Sequence, residues 1–291
     1  MAQILLTGAK GQVGLELVEE LLKRGHRVIA CSHQDLDIAD ETSVQSMFAS
    51  TKIDLVINSA AYTTVDKAEE EKDLAYAVNA LGPKYLANAC AAYNVPLIHI
   101  STDYVYDNNL SKLHTEDEVT NTACVYGNTK LFGEKYISQS GCDAVILRAS
   151  WIFGRYGKNF VKAMLNLSKT RDTLTVVCDE VGNPTPARAL AYDICNIADM
   201  IFKGGFDKYG VYNYCGRDAI ARNDFAKVIL AKAGSLGLIK HRVTVTPITT
   251  KEFGAKAKRP NDSRMSTALF EKTFNLKTPM WHEYLEETLL G

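Results

Sequence analysis

The chain has 291 residues, of which 46% are hydrophobic and 23% are charged. These values are ordinary for a globular protein, and they exclude a small disulfide scaffold, a disordered chain and a low-complexity sequence. Lysine and arginine number 33 against 34 aspartate and glutamate residues, so the net charge of −1 offers no basic surface to a nucleic acid or an acidic membrane. We therefore expect neither as a partner.

Short apolar runs alternate with helix-length segments through the first half of the chain. A parallel pair of strands needs a crossover connection, which is usually a helix. The pattern therefore predicts an α/β fold with a Rossmann-type, doubly wound parallel sheet. The predicted strands cover residues 4–7, 28–31, 54–58, 97–101 and 145–149.

The alternation becomes irregular after about residue 151. Later apolar runs at 174–178, 211–214 and 243–248 lie further apart, and prolines concentrate in this half. We interpret residues 1–150 as a dinucleotide-binding domain. Residues 151–291 are predicted to form mainly a smaller α+β lobe that binds substrate and is interleaved with the first domain.

Three glycines, Gly8, Gly11 and Gly14, follow the first predicted strand and open the first predicted helix. Gly8 permits a tight turn, Gly11 lets the backbone approach phosphates, and Gly14 allows close packing of the helix. Backbone N–H groups at a helix N-terminus attract a pyrophosphate. A glycine turn that merely reverses the chain is the alternative, but the position at the first strand–helix junction favours dinucleotide binding.

The end of the second predicted strand indicates which dinucleotide is bound. NAD-selective domains carry an Asp or Glu there, whereas residues 30–33 offer no carboxylate to repel a 2′-phosphate. This favours NADPH, with NADH as the alternative, and Ser32 is our expected contact unless it is only a loop residue. We expect a short third strand to end at Asp37 and Ile38 beside the adenine; for Asp37, a turn or helix cap is the alternative.

Tyr126 and Lys130 are four residues apart, so on a helix they project from one face. A phenol titrates near 10 in water, and a nearby ammonium group favours the phenolate. The spacing therefore predicts an acid–base pair in which Lys130 lowers the pKa of Tyr126. A solvated helix face is the alternative.

Polar residues follow two further predicted strands. Thr102 comes directly after the strand at 97–101, and Trp151 follows the strand at 145–149. Ligands of doubly wound sheets bind at the carboxyl ends of the strands. Thr102 is therefore a candidate donor to a substrate oxygen. A turn cap is the alternative for Thr102, and a core aromatic is the alternative for Trp151.

Together these residues resemble the extended short-chain dehydrogenase/reductase family over essentially the whole chain. The matching segments are 7–14, 58–63, 65–69, Asn79, 101–105, 126–134, 149–151, 182–185 and 259–263. Residues 106–109 and 121–123 depart from the family pattern.

The resemblance implies a role for each matching residue. Tyr126 would be the general acid, Lys130 would hold the nicotinamide ribose and tune the tyrosine, and Thr102 would bind the substrate carbonyl. Implied substrate contacts are Asp103, Tyr104 and Trp151, with Arg259 as a phosphate contact. Cofactor contacts are expected at Gly8, Gly11, Gln12, Val13, Gly14, Ser32, Asp37, Ile38, Ala60, Ala61, Tyr62, Thr63, Asn79, Tyr126 and Lys130.

The activity implied by the resemblance is reduction by NADPH of the 4-keto group of dTDP-4-dehydro-L-rhamnose to dTDP-L-rhamnose. Dehydratases of the same superfamily carry Thr-Asp-Glu where this chain has Thr102, Asp103 and Tyr104. An elimination would lack its base, which favours simple reduction. Two alternatives remain: a reductase or epimerase of another nucleotide-linked 4-keto sugar, and a non-catalytic NADP-binding regulatory subunit.

Location and assembly follow from weaker signals. The seven cysteines are scattered without a C-x-x-C pair, which indicates neither disulfides nor a zinc site and fits a reducing cytoplasm. We expect no cleaved export signal and no membrane span, because no window approaches 18 uncharged apolar residues. We assign no metal, and we expect a monomer or a homodimer.

Overall fold

The computed structural model describes residues 1–106 and 112–291. Its strands are short, and several have every residue buried. They are β1 (Gln3–Thr7), β2 (Arg27–Cys31), β3 (Leu55–Asn58), β4 (Leu97–Thr102), β5 (Ala144–Ala149), β6 (Ile152–Phe153), β7 (Thr173–Val177), β8 (Val181–Gly182), β9 (Thr185–Pro186), β10 (Gly210–Tyr214), β11 (Ile220–Ala221) and β12 (Thr244–Ile248).

Helices connect most of these strands. A π-helical turn at Ala77–Leu81 and 3₁₀ turns at Asp103–Val105 and Trp281–Tyr284 supplement them. The helices are α1 (Gln12–Lys23), α2 (Glu41–Ser50), α3 (Val65–Ala68), α4 (Lys72–Tyr76), α5 (Gly82–Tyr93), α6 (Val125–Gln139), α7 (Phe160–Ser168), α8 (Ala187–Phe202), α9 (Arg222–Ser235), α10 (Thr250–Phe253), α11 (Ala268–Phe274) and α12 (Leu285–Leu290).

The main sheet has the strand order β10-β5-β4-β3-β1-β2, and its neighbouring strands are parallel throughout. Apolar side chains cover both of its faces, which is typical of parallel strands with helices on each side. The predicted Rossmann-type sheet is confirmed. The register places Thr7 beside Asn58 and Thr102 beside Ala149, so these residues mark the carboxyl edge of the sheet.

The short third strand predicted to end at Asp37 and Ile38 is wrong. The residues between β2 and α2 form turns instead. Asp37 accepts a hydrogen bond at 2.9 Å from the Ala39 N–H, and the Asp40 side chain caps α2 by accepting from the Thr42 N–H. Aspartates that bond their own backbone two residues onward favour turns over strands.

The second half of the chain contributes to the first sheet. Strand β10 pairs with β5, and α8 packs on α1 through a core that includes Leu17, Leu21, Leu190 and Ile194. A separate apolar cluster joins α7, α9 and α12 to β7. The proposed division at residue 150 stays a prediction, since the chain crosses back after it. In the described part of the chain, no helix is both long enough and apolar enough to span a membrane.

Candidate active site

The carboxyl edge of the sheet opens onto a cleft of about 1190 Å³. Residues from both halves of the chain line it, as expected for a ligand site at the switch point of a doubly wound sheet. Their roles as ligand contacts stay predictions. The sequence-predicted residues in its walls are Gly8, Gly11, Gln12, Val13, Gly14, Asp37, Ile38, Ala60, Ala61, Tyr62, Thr63, Thr102, Asp103, Tyr104, Tyr126, Lys130, Trp151 and Arg259.

The glycine turn forms one end of this cleft. Gly8 has a φ of 69°, and a Cβ on it would lie 2.6 Å from the backbone nitrogen of Ala60. A Cβ on Gly14 would lie 2.2 Å from the carbonyl oxygen of Gly8. No side chain caps the N-terminus of α1, and its first turn has no acidic residue. Free N–H groups in a turn this tight fit the pyrophosphate of a dinucleotide.

Tyr126 stands in the first turn of α6, where a glycine brings it close to β4. A Cβ on Gly127 would lie 2.3 Å from the carbonyl oxygen of Tyr104, so only glycine permits this approach. The side chains of Thr102 and Tyr126 lie in the same wall of the cleft. Burial raises the pKa of Tyr126 well above its usual value of 10, and the interaction with Thr102 offsets only part of that effect.

The prediction that Lys130 lowers the pKa of Tyr126 stays a prediction, since burial is the largest influence on that pKa in this structure. Lys130 belongs to the cleft wall but is almost fully buried, and its amine donates to the Ile100 carbonyl at 2.7 Å and lies 3.3 Å from His99 Nε2. Burial lowers its own pKa to about 8, against the opposing attraction of Glu134. The two residues share the cleft as predicted, but the dominant electrostatic influence on each is loss of solvation.

Asp103 and Tyr104 follow Thr102 in the 3₁₀ turn. Burial raises the pKa of Asp103 to about 6. Its Oδ1 accepts from the Thr102 hydroxyl at 3.1 Å, whereas Oδ2 has no hydrogen-bond partner in the described residues. The ring of Tyr104 meets that of Tyr126 edge to face, with centroids 5.3 Å apart. A buried acceptor at the cleft wall is suited to a ligand hydroxyl.

Two arginines occupy the far end of the cleft. The Arg222 guanidinium lies 3.5 Å from the ring centre of Trp151, whose φ of 42° places it in the left-handed region. Arg259 donates to Asp66 at 2.7 Å, and its Nε is buried without a partner among the described residues. Sequence reasoning missed Arg222, because only the fold brings α9 over Trp151. Arg222 also pairs with Glu180 at 3.2 Å, so this end of the cleft presents two arginines with carboxylate partners beside an aromatic ring.

Two predicted contacts lie outside the cleft walls. The fully buried Asn79 side chain accepts from the Tyr62 N–H at 2.8 Å and donates to the Tyr62 carbonyl at 3.0 Å. Asn79 therefore positions the wall residue rather than forming the wall. The Ser32 hydroxyl donates to Asp35 at 2.6 Å. The carboxylate of Asp35 therefore lies beside the end of β2, although the sequence analysis considered only residues 30–33 there. Lys10 and His33 line the cleft nearby.

Residues 107–109, part of the predicted departure from the family pattern, lie outside the described residues. Tyr106 is described: it is buried, and its hydroxyl donates to Asn213 at 2.7 Å. Within the described ranges, no group of three or more His, Cys, Asp or Glu side chains is arranged to hold a metal ion.

The doubly wound sheet, the glycine turn and the Tyr126–Lys130 spacing define the class of the extended short-chain dehydrogenases/reductases. The similarity of this chain to known proteins supports the assignment to this class. The family model described as the RmlD substrate binding domain matches residues 1–290, and the chain belongs to that family.

Individual relatives are similar over nearly the full length. The dTDP-4-dehydrorhamnose reductase of Aggregatibacter actinomycetemcomitans is 39% identical over 287 residues, which cover 98% of each chain. The crystal structure of a dTDP-4-dehydrorhamnose reductase from Clostridium acetobutylicum has a TM-score of 0.91 at 39% identity, covering 99% of this chain and 98% of that one. The crystal structure of the Bacillus anthracis dTDP-4-dehydrorhamnose reductase in complex with NADP has a TM-score of 0.91 at 33% identity, covering 99% of both chains.

Proposed function

We propose that this chain catalyses the reduction by NADPH of the 4-keto group of dTDP-4-dehydro-L-rhamnose to dTDP-L-rhamnose, the last step of dTDP-rhamnose synthesis. The observation that carries the proposal is the convergence of Thr102, Tyr126 and Lys130 on the cleft that begins at the glycine turn. The relatives named above support the choice of substrate, and the Bacillus anthracis complex supports the choice of cofactor.

The cofactor is assigned to the end of the cleft nearest Gly8. The uncapped N–H groups at the start of α1 would hold the pyrophosphate. Lys10 and His33 are the basic side chains near the end of β2, and we assign them to the 2′-phosphate. When bound, NADPH supplies the hydride that the C4 carbon accepts.

Tyr126 supplies the proton in this reaction. Its raised pKa keeps the phenol protonated at neutral pH, so the acid is present in the form that donates. The Tyr126 hydroxyl proton goes to the substrate oxygen as the carbonyl carbon gains the hydride electron pair, which yields the alcohol and a phenolate. Thr102 holds the same oxygen. General acid catalysis of this kind contributes about 100- to 10,000-fold.

The remaining cleft residues are assigned to the substrate. Asp103 Oδ2 is a buried acceptor, and we assign it to a sugar hydroxyl. Arg259 and Arg222 lie where a diphosphate would find two guanidinium groups, and we assign Trp151 to the deoxysugar.

Location and assembly remain proposals. Each cysteine of the chain is a free thiol in the structure, which supports a reducing cytoplasm. We propose a monomer or a homodimer.

A substrate panel tests the proposed function. The purified chain is incubated with NADPH or NADH and with 4-keto sugars linked to dTDP, UDP or GDP, and cofactor oxidation is followed by absorbance. We expect the highest kcat/KM for dTDP-4-dehydro-L-rhamnose with NADPH. Preferred turnover of another nucleotide sugar would identify a related reductase, epimerisation without net oxidation would identify an epimerase, and tight NADP binding without turnover would identify a regulatory subunit.

A further inference from the structure

A chain of buried side chains runs along the carboxyl edge of the sheet beneath the cleft. The Thr7 hydroxyl donates to Asn58 Oδ1 at 2.7 Å, and Asn58 Nδ2 lies 3.0 Å from His99 Nδ1. His99 Nε2 then lies 3.3 Å from the Lys130 amine. Asn58 and His99 are both fully buried, so water cannot relieve a mismatched contact.

The orientation of the Asn58 amide is fixed by a backbone group. The Ala60 N–H donates to Asn58 Oδ1 at 3.1 Å, and a backbone N–H can only donate. Oδ1 therefore faces Ala60, and the amide NH₂ faces His99. A flipped amide would set two N–H groups against each other.

This orientation determines which nitrogen of His99 carries the proton. Because Asn58 Nδ2 donates to Nδ1, Nδ1 must be the bare acceptor, and the proton of the neutral ring is on Nε2. Complete burial, and next the charge that Lys130 carries as an ammonium, lower the pKa of His99 well below its usual range, which excludes a doubly protonated ring at neutral pH. The Nε2–H consequently points at the nitrogen of Lys130.

A lysine nitrogen can accept this hydrogen bond only as a neutral amine. The amine has one lone pair and two N–H groups, one of which donates to the Ile100 carbonyl at 2.7 Å. An ammonium group has three donors and no acceptor, so it would place one N–H against the Nε2–H of His99.

We propose that Asn58 and His99 act as a positioning pair: Asn58 fixes His99 in the Nε2–H tautomer, and His99 thereby favours the neutral amine of Lys130. Asn58 and His99 do not line the cleft, so they act through Lys130, which does. Its consequence for turnover rests on the proposed function. An ammonium that is disfavoured in this way is a stronger acid, so it more readily returns a proton to the phenolate that Tyr126 leaves after each reduction.

Other charges near Lys130 do not supply the same effect. Glu134 lies one turn along α6 and acts in the opposite direction, because its carboxylate attracts an ammonium. Arg148 pairs with Glu134 at 2.7 Å, and Ser101 also donates to it, so much of that attraction is neutralised. Tyr126 is uncharged before it gives up its proton. His99 is then the polar contact that opposes the ammonium.

The test reads the tautomer directly, without substrate or cofactor. The full chain is labelled with ¹⁵N-histidine and ¹³C-lysine; long-range ¹H–¹⁵N spectra give the protonation of each His99 nitrogen, and the Lys130 Cε shift is titrated against pH. We expect a protonated Nε2, a bare Nδ1 and a Lys130 pKa near 8. A protonated Nδ1 in the unmodified chain would overturn the proposal whether or not the chain reduces any sugar.

Three variants separate the positioning pair from a merely structural role. Asn58→Asp replaces the NH₂ donor by an acceptor, so we expect the His99 proton to move to Nδ1 and the Lys130 pKa to rise by about one unit or more. His99→Asn keeps an acceptor for Asn58, removes the facing N–H and adds no charge, so the Lys130 pKa should also rise. Thr7→Val is the matched control, because Ala60 still orients Asn58; the tautomer should be unchanged.

Each of these variants gives a result that either supports or contradicts the positioning pair. If Asn58→Asp does not fold, His99→Asn still tests the contact with Lys130. An unchanged Lys130 pKa in His99→Asn, or a changed tautomer in Thr7→Val, would contradict the proposal. In turnover, the fall of kcat at high pH should move to higher pH in His99→Asn, whereas a purely structural defect would lower kcat without moving it.

Discussion

Thr102 at the end of β4 and Tyr126 in the first turn of α6 lie together in the cleft wall, where Thr102 lowers the pKa of Tyr126 against the larger effect of burial. Gly127 makes this proximity possible, since a Cβ there would collide with the Tyr104 carbonyl. Both hydroxyl groups belong to the cleft that begins at the glycine turn. We propose that a substrate carbonyl oxygen receives a hydrogen bond from each, for which the Thr102 hydroxyl turns away from Asp103 Oδ1, its acceptor at 3.1 Å in this structure.

Because the Asp103 carboxyl group is buried, we expect the stability of the folded chain to depend on pH. Burial raises its pKa to about 6 from 3.8, so the folded chain binds the proton more tightly than the unfolded chain does. The resulting stabilisation is complete below pH 3.8 and is lost as the pH rises through about 6. At pH 8 the buried carboxylate therefore costs about 2–3 kcal/mol.

The variant Asp103→Asn removes this cost without changing the shape of the side chain. We expect its free energy of unfolding, measured in urea, to exceed that of the unmodified chain by about 2 kcal/mol at pH 8. The difference should shrink as the pH falls through about 6 and approach zero only well below pH 3.8, where the aspartate is neutral in both states. A difference that is constant across this pH range would show that Asp103 is not the titrating group.

We expect a large loss of stability when the buried ion pair between Glu134 and Arg148 is broken. Their side chains are only 5% and 6% exposed, and the guanidinium donates to both carboxylate oxygens. In Glu134→Gln the arginine would remain buried without its counter-charge, which typically costs about 3–5 kcal/mol. Urea denaturation measures this loss.

A surface pair provides the control for Glu134→Gln. Lys227 and Asp224 lie 2.8 Å apart, but each side chain is more than half exposed. Lys227→Ala should change the free energy of unfolding by no more than about 0.5 kcal/mol. Similar losses in the two variants would mean that the buried pair is screened by solvent.

We expect Lys10 to contribute to a preference for NADPH over NADH. It lines the cleft near the end of β2, where a 2′-phosphate would distinguish the two dinucleotides. In Lys10→Ala we expect the KM for NADPH to rise about five- to tenfold, since one charge-assisted hydrogen bond is lost, with little change for NADH. Lys23→Ala, which alters an exposed lysine paired with Glu20 outside the cleft walls, is the control. Equal effects on both cofactors would place the 2′-phosphate elsewhere.

The sheet could be predicted from the sequence because its strands are buried on both faces. Buried parallel strands are continuous apolar runs, and the runs ending at Thr7, Asn58 and Ala149 are visible without knowledge of the fold. The glycine turn and the Tyr126–Lys130 spacing are local patterns, so they could be found in the same way. Most of the cleft walls follow from these two features.

The remaining features depend on contacts between distant segments. Arg222 reaches Trp151 only through the packing of α9, and Asn79 reaches Tyr62 from within a π-helical turn that no local pattern announced. The pKa values of the site residues could not be predicted from the sequence either. The spacing of Tyr126 and Lys130 indicates proximity, whereas their pKa values depend on how deeply each side chain is buried.

The most direct test of the account is the turnover of Tyr126→Phe with NADPH and dTDP-4-dehydro-L-rhamnose, measured beside its affinity for NADP. Tyr136→Phe is the matched control, because it removes a phenol from the same helix, hydrogen-bonded to Tyr76 and outside the cleft walls. We expect Tyr126→Phe to bind NADP normally and to lose about 100- to 10,000-fold in kcat, with Tyr136→Phe close to the unmodified chain. A kcat for Tyr126→Phe near that of the unmodified chain would contradict the assignment of the proton donor.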